Sequence, residues 1–188
     1  SLADRWHEGW LASPSVADLD EDGTPEIVIA RADRLLVFHA DESIVWSSDV
    51  DGRIWASPIV ADLLPGTPGL EIALAARDTI YAYDADGNDL PGFPFTYRDE
   101  MRSLAAGDID GDGALELVAV TTTRLEAGGQ RDILIAVNPN GTMVSWFPPN
   151  TTGASGCDDA CYLTGGYDQN LALGNVDADP ALEIFATQ

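Results

Sequence analysis

The stretch Ala106-Gly107-Asp108-Ile109-Asp110-Gly111-Asp112-Gly113-Ala114-Leu115-Glu116-Leu117 governs the reading of the whole chain. Its acids stand at alternating positions, Asp108, Asp110 and Asp112, and Gly113 follows them. Alternation in a short loop turns three carboxylates toward one centre, and glycine permits the sharp reversal that positive φ requires. Glu116 closes the set, and the Ala114 main-chain carbonyl lies between. Such an all-oxygen cage suits a hard cation taking six to eight oxygens, calcium above all. The run that follows, Leu117-Val118-Ala119-Val120, is β-branched and apolar, so a strand is expected there.

The same pattern recurs along the chain. Asp18, Asp20, Asp22, Gly23, Thr24 and Glu26 repeat it, with the Thr24 carbonyl in the place of Ala114. Asn175, Asp177, Asp179, Ala181 and Glu183 form a further copy, with Pro180 where glycine belongs. Proline cannot adopt positive φ, so an altered loop geometry is expected there. Between residues 62 and 71 only Asp62 and Glu71 survive, and Pro65, Gly66, Pro68 and Gly69 fill the gap. Two calcium sites are therefore expected, in loops one and three, with loop four a further candidate and loop two decayed. A tight acidic turn without metal is the alternative reading. An EF-hand is excluded, because that motif places its glutamate at position twelve and needs flanking helices.

The first positions of the copies, 18, 62, 108 and 175, are separated by 44, 46 and 67 residues. The first two intervals match the period of propeller blades, about 40–50 residues. Each full unit reads as four short strands. Unit one gives 15–18, 26–30, 35–39 and 44–47. Unit two gives 59–62, 71–75, 79–83 and a last strand toward Phe93. Unit three ends with 132–137 and 143–147. Turns at Asp86-Gly87 and Asn140-Gly141 are hairpin signals. Trp46, Phe93 and Trp146 take equivalent places near the unit ends, as packing residues between blades. The expected fold is an all-β propeller of four-stranded antiparallel blades. About three complete blades and half of a fourth are present, over residues 13–50, 57–98, 102–148 and 170–188. A closed propeller usually has at least four blades, so a piece of a larger protein is expected.

The long third interval places an inserted loop at about 148–169. It holds Cys157 and Cys161, whose spacing is not that of a Cys-x-x-Cys redox pair. A small disulfide clipping this loop is one reading, and two free thiols the other.

Net charge is 9 − 32 = −23 over 188 residues. A surface this acidic repels nucleic acid and anionic lipid and suits cations. No run reaches the roughly 18 apolar residues of a membrane helix. The start of the chain lacks the pattern of a signal peptide, although one could have been removed.

These residues resemble the FG-GAP and VCBS repeat family, which includes the integrin α-chain propellers. The likeness covers residues 13–188, and 106–113 followed by Glu116-Leu117 carries it most strongly. The run Asn88-Asp89-Leu90-Pro91-Gly92-Phe93-Pro94 resembles the end of such a blade. The resemblance implies structural calcium between the first two strands of a blade and an extracellular or cell-surface setting. The repeats and the absence of a catalytic constellation lead to the expectation of a non-enzymatic module for adhesion or ligand binding, with an extracellular protein or glycan as ligand.

Chemistry offers little against that expectation. The two histidines, His7 and His39, sit in no nucleophile motif, and Gly153-Ala154-Ser155-Gly156 has the wrong spacing for an elbow. Two other readings stand beside it. One is a domain of a polysaccharide lyase, for which Arg102 and Arg131 are the nearest basic candidates. The other is a purely architectural spacer. Asn140 and Asn150 open N-glycosylation patterns, which matter in a eukaryotic secretory host.

Overall fold

A computed structural model of the chain describes residues 12–97, 100–121, 134–145, 147 and 171–186. Cys157 and Cys161, the inserted loop around them, His7, Arg131, Trp146 and Asn150 lie outside the described residues. The described residues are all-β, in antiparallel sheets. Sheet one joins β1 (Ser15–Ala17), β2 (Glu26–Arg31), β3 (Arg34–Phe38) and β4 (Ile44–Asp49) in chain order. Sheet two repeats this with β5 (Ile59–Ala61), β6 (Glu71–Ala76), β7 (Thr79–Tyr83) and β8 (Phe95–Thr96). Sheet three holds β9 (Met101–Gly107), β10 (Glu116–Thr121) and β11 (Leu134–Val137). Sheet four pairs β12 (Ala172–Gly174) with β13 (Glu183–Phe185).

Side-chain period explains how the sheets stack. Successive residues of a strand face opposite ways, so a strand buried on both sides carries no polar face. β6 is such a strand, with all six residues buried. Its Ile72, Leu74 and Ala76 pack with Val28, Leu35 and Val37 of sheet one. Its Ala73 and Ala75 pack with Met101, Leu104 and Leu117 of sheet three. β10 behaves likewise. Leu117 and Ala119 turn toward sheet two, while Val118 and Val120 meet Leu173 and Ile184 of sheet four. Each fully buried Leu or Ile contributes about 1.5–3 kcal/mol, so these three layers are the main source of stability.

Neighbouring sheets also touch through their first strands. Ser15 Oγ donates to Pro58 O (2.8 Å), Ser13 N to Ser57 Oγ (2.8 Å), and Leu171 N to Ser103 Oγ (3.1 Å). Glycines allow the tightest approaches. Gly92 has φ +88°, and a Cβ placed there would stand 1.9 Å from Asn140 O. Gly87 lies against the Trp46 ring, whose Nε1 donates to Ala85 O at 2.8 Å.

Three expectations need correcting. The fourth strand of unit two is Phe95–Thr96, beyond Phe93, because the chain turns at Leu90–Phe93 before pairing with Thr79 and Ile80. The expected strand over 143–147 reduces to a single bridge between Met143 and Val137. Its backbone instead makes a turn in which Phe147 N donates to Val144 O. That turn copies the bond of Phe93 N to Leu90 O, so the residue equivalent to Phe93 is Phe147 rather than Trp146. Phe93 and Phe147 are 8% and 7% exposed, filling the same kind of place.

Candidate metal centre

Each Asp loop joins the first two strands of its sheet, so all four lie between a strand end and a strand start. The glutamate that opens the second strand does the same local work in every copy. Leu19 N donates to Glu26 Oε2 (2.9 Å), Leu63 N to Glu71 Oε2 (2.7 Å), Ile109 N to Glu116 Oε2 (3.0 Å), and Val176 N to Glu183 Oε2 (2.8 Å). A carboxylate accepting a main-chain N–H at this distance makes a charge-assisted bond, stronger than a neutral one. The glutamate thus ties the start of its loop to the start of the next strand. Spacing alone identified it as a ligand and gave no sign of this second duty.

The aspartates shape the loop backbone. In loop one Gly23 N donates to Asp18 Oδ2 (2.9 Å), Asp22 N to Asp20 Oδ1 (3.2 Å) and Thr24 N to Asp22 Oδ1 (2.7 Å). Loop three repeats the set with Gly113 N on Asp108 Oδ2 (2.9 Å), Asp112 N on Asp110 Oδ1 (3.2 Å) and Ala114 N on Asp112 Oδ1 (2.8 Å). Gly23 and Gly113 have φ of 92° and 91°, the positive values expected of them. Loop four keeps two of these turns, Asp179 N on Asp177 Oδ1 (2.8 Å) and Ala181 N on Asp179 Oδ1 (3.0 Å). Its first position differs: Asn175 Nδ2 donates to the Asp179 carbonyl.

Carboxylate oxygens converge in three places. Asp18, Asp20 and Asp22 form one group, Asp108, Asp110 and Glu116 a second, and Asp177, Asp179 and Glu183 a third. Within each, one oxygen per residue lies within 4.8 Å of the others. Oxygens on a common calcium ion, at 2.3–2.6 Å each, stand no more than about 5 Å apart, so each group can share one ion. Glu26 and Asp112 stand outside these tightest groups, and loop two forms no such group among the described residues. The Thr24, Ala114 and Ala181 carbonyls lie in the same loops as expected, each beside an aspartate that holds its residue's N–H.

Loop one holds buried oxygens without hydrogen-bond partners, Asp18 Oδ1 and Glu26 Oε1. His39 Nδ1 stands 3.5 Å from Glu26 Oε1, too long for a good hydrogen bond. A buried carboxylate oxygen left this way costs about 1–3 kcal/mol, which a cation would offset. Burial pushes the Glu116 carboxyl above the usual glutamate range, and the charges of Asp110, Asp112 and Asp108 push it the same way. In loop two burial raises Glu71, Leu64 and Leu63 N–H groups oppose the rise, and Asp62 adds to it. Glu71 Oε1 is also buried without a partner. These donor sets are all oxygen and suit a hard cation in loops one, three and four.

No family model matches the chain, and no curated protein matches it. Solved structures do resemble it in fold. The exotype rhamnogalacturonan lyase YesX superposes with TM-score 0.60 at 15% identity, over 93% of this chain and 38% of that one. The Bacillus licheniformis rhamnogalacturonan lyase PL11 gives TM-score 0.57 at 17% identity, over 93% and 39%. BBS1N, solved in complex with ARL6DN, gives 0.56 at 14% identity, over 90% and 52%. The chain therefore spans about half or less of each of these proteins, and at such identities the likeness is one of fold alone.

Proposed function

We propose that this chain is part of a calcium-stabilised β-propeller of the FG-GAP and VCBS type, serving as an extracellular module that binds a protein or glycan. The observation that carries the reading is the repeated loop. Aspartate turns and a glutamate anchor recur together between the first two strands of sheets one, three and four. Loop one adds buried oxygens that lack partners. Face-to-face stacking of like sheets, with first strands in contact, supports a radial arrangement of about three and a half blades within a larger propeller. Calcium is the hard cation whose flexible oxygen coordination suits such loops. Loops one and three hold the sites in this reading, and loop four holds a third.

The test is a pair of melts, with excess calcium chloride and with chelator, alongside metal analysis of the purified protein. A rise of several degrees in calcium is expected. An unchanged melting temperature with no bound metal would refute the reading.

A second reading follows from the likeness to two rhamnogalacturonan lyases. In it the chain is the propeller portion of a polysaccharide-degrading enzyme. Turnover of rhamnogalacturonan by the full-length protein would favour it. Binding to glycan or protein arrays without turnover would favour the first.

A further inference from the structure

We propose that the loops act in pairs across neighbouring repeats, so that filling loop one with a cation also holds loop two in place. The inference rests on the cation reading above and adds to it a route between repeats. Leu19, 1% exposed, is the hub. Its N–H donates to Glu26 Oε2 at 2.9 Å, and its carbonyl accepts from Leu70 N at 2.8 Å. Leu70 immediately precedes Glu71, whose Oε2 accepts from Leu63 N at 2.7 Å and Leu64 N at 3.2 Å. An unbroken line of bonds therefore runs from the glutamate of loop one to the glutamate of loop two.

Two features tie this line to a cation. Glu26 uses one oxygen to fix Leu19, while the other is buried without a hydrogen-bond partner, as is Asp18 Oδ1. The carboxylate that positions Leu19 thus closes the loop that carries the Asp18, Asp20 and Asp22 group. Close approach is also built into the chain. Gly69 has φ +85°, and a Cβ there would stand 2.3 Å from Leu19 O, so only glycine fits. Loop two has no acidic cluster among the described residues, so any response of it to a cation must be transmitted.

Loops three and four are joined by a related bond whose acceptor lies one residue earlier in the loop, just before Ile109, the residue whose N–H Glu116 holds. Leu182, immediately before Glu183, donates its N–H to Asp108 O at 2.8 Å. Pro180, which replaces the expected glycine, lies against Gly111, where a Cβ would stand 3.0 Å from Pro180 Cγ. The departure of loop four from the motif is thus a contact with loop three.

Hydrogen exchange of the whole chain, with calcium chloride as probe against chelator, tests the pairing. At calcium about 100 times its dissociation constant, the Leu63 and Leu70 amides are expected to exchange up to about 100-fold more slowly. Asp20→Asn should abolish that slowing while calcium still slows residues 108–116. Gly69→Ala should leave the slowing within 18–26 and remove it from 62–71. Persistent slowing of loop two in Asp20→Asn would overturn the proposal, as would slowing of loop one without loop two. If calcium slows neither 18–26 nor 108–116, the cation reading itself fails and the pairing fails with it.

Discussion

Glu26→Gln should change the protein's stability in opposite directions with and without calcium. In chelator, Glu26 is a buried carboxylate, 2% exposed, with Oε1 lacking a hydrogen-bond partner, at the end of the loop that carries the Asp18, Asp20 and Asp22 group. The amide keeps an acceptor oxygen for Leu19 N–H and removes the charge. The like charges of the loop repel Glu26 by an amount on the order of 1 kcal/mol in water-like surroundings, and Asp20 and Asp22 are exposed enough for that figure to apply. The variant should then be more stable by about 1 kcal/mol. In excess calcium the sign reverses. At 100 times its dissociation constant an ion stabilises the fold by about 2.7 kcal/mol. A hundredfold loss of affinity would leave about 0.4 kcal/mol, and with the gain of about 1 kcal/mol from the removed charge the net loss is about 1.3 kcal/mol. For a chain of this size that lowers the melting temperature by roughly 3–5 °C. Paired melts in chelator and in calcium read both effects. Equal shifts of the same sign in the two conditions would refute the assignment of Glu26 as both anchor and ligand.

Other outcomes follow from the same geometry. Gly92→Ala should destabilise by about 2–4 kcal/mol in urea titration, because a Cβ would meet Asn140 O at 1.9 Å and φ of +88° strains alanine. Glu71→Gln should flatten the pH dependence of stability in chelator. A glutamate with a raised folded pKa is disfavoured when charged, so its penalty is absent below about pH 4.3 and grows as pH rises through the folded value. Melts between pH 4 and 7 check this, and an unaltered slope would count against Glu71.

Much of the fold was legible along the chain because its signals are local. Alternating aspartates followed by glycine mark the loops, and the all-apolar runs 72–76 and 117–120 mark strands covered on both faces. The three oxygen clusters fall in the loops that spacing singled out. Less local features escaped. The spacing made Glu71 a remnant of a lost site, yet its bonds to Leu63 and Leu64 give it a backbone duty that needs no ion. Trp146 looked equivalent to Phe93 by residue type, whereas the turn bonds match Phe147 to it.

The order of residues along the chain is enough to define the repeat: its loops, its strands, and the acid types that a hard cation requires. Those follow from φ preferences, side-chain period and charge, all properties of neighbouring residues. Tertiary structure alone decided which carboxylate oxygens converge and which are left buried without partners. It also decided that Leu19 of one repeat accepts from Leu70 of the next, and Asp108 from Leu182. Such bonds join residues dozens of positions apart through main-chain atoms. Every residue type carries those atoms alike, so no spacing of side chains can announce them.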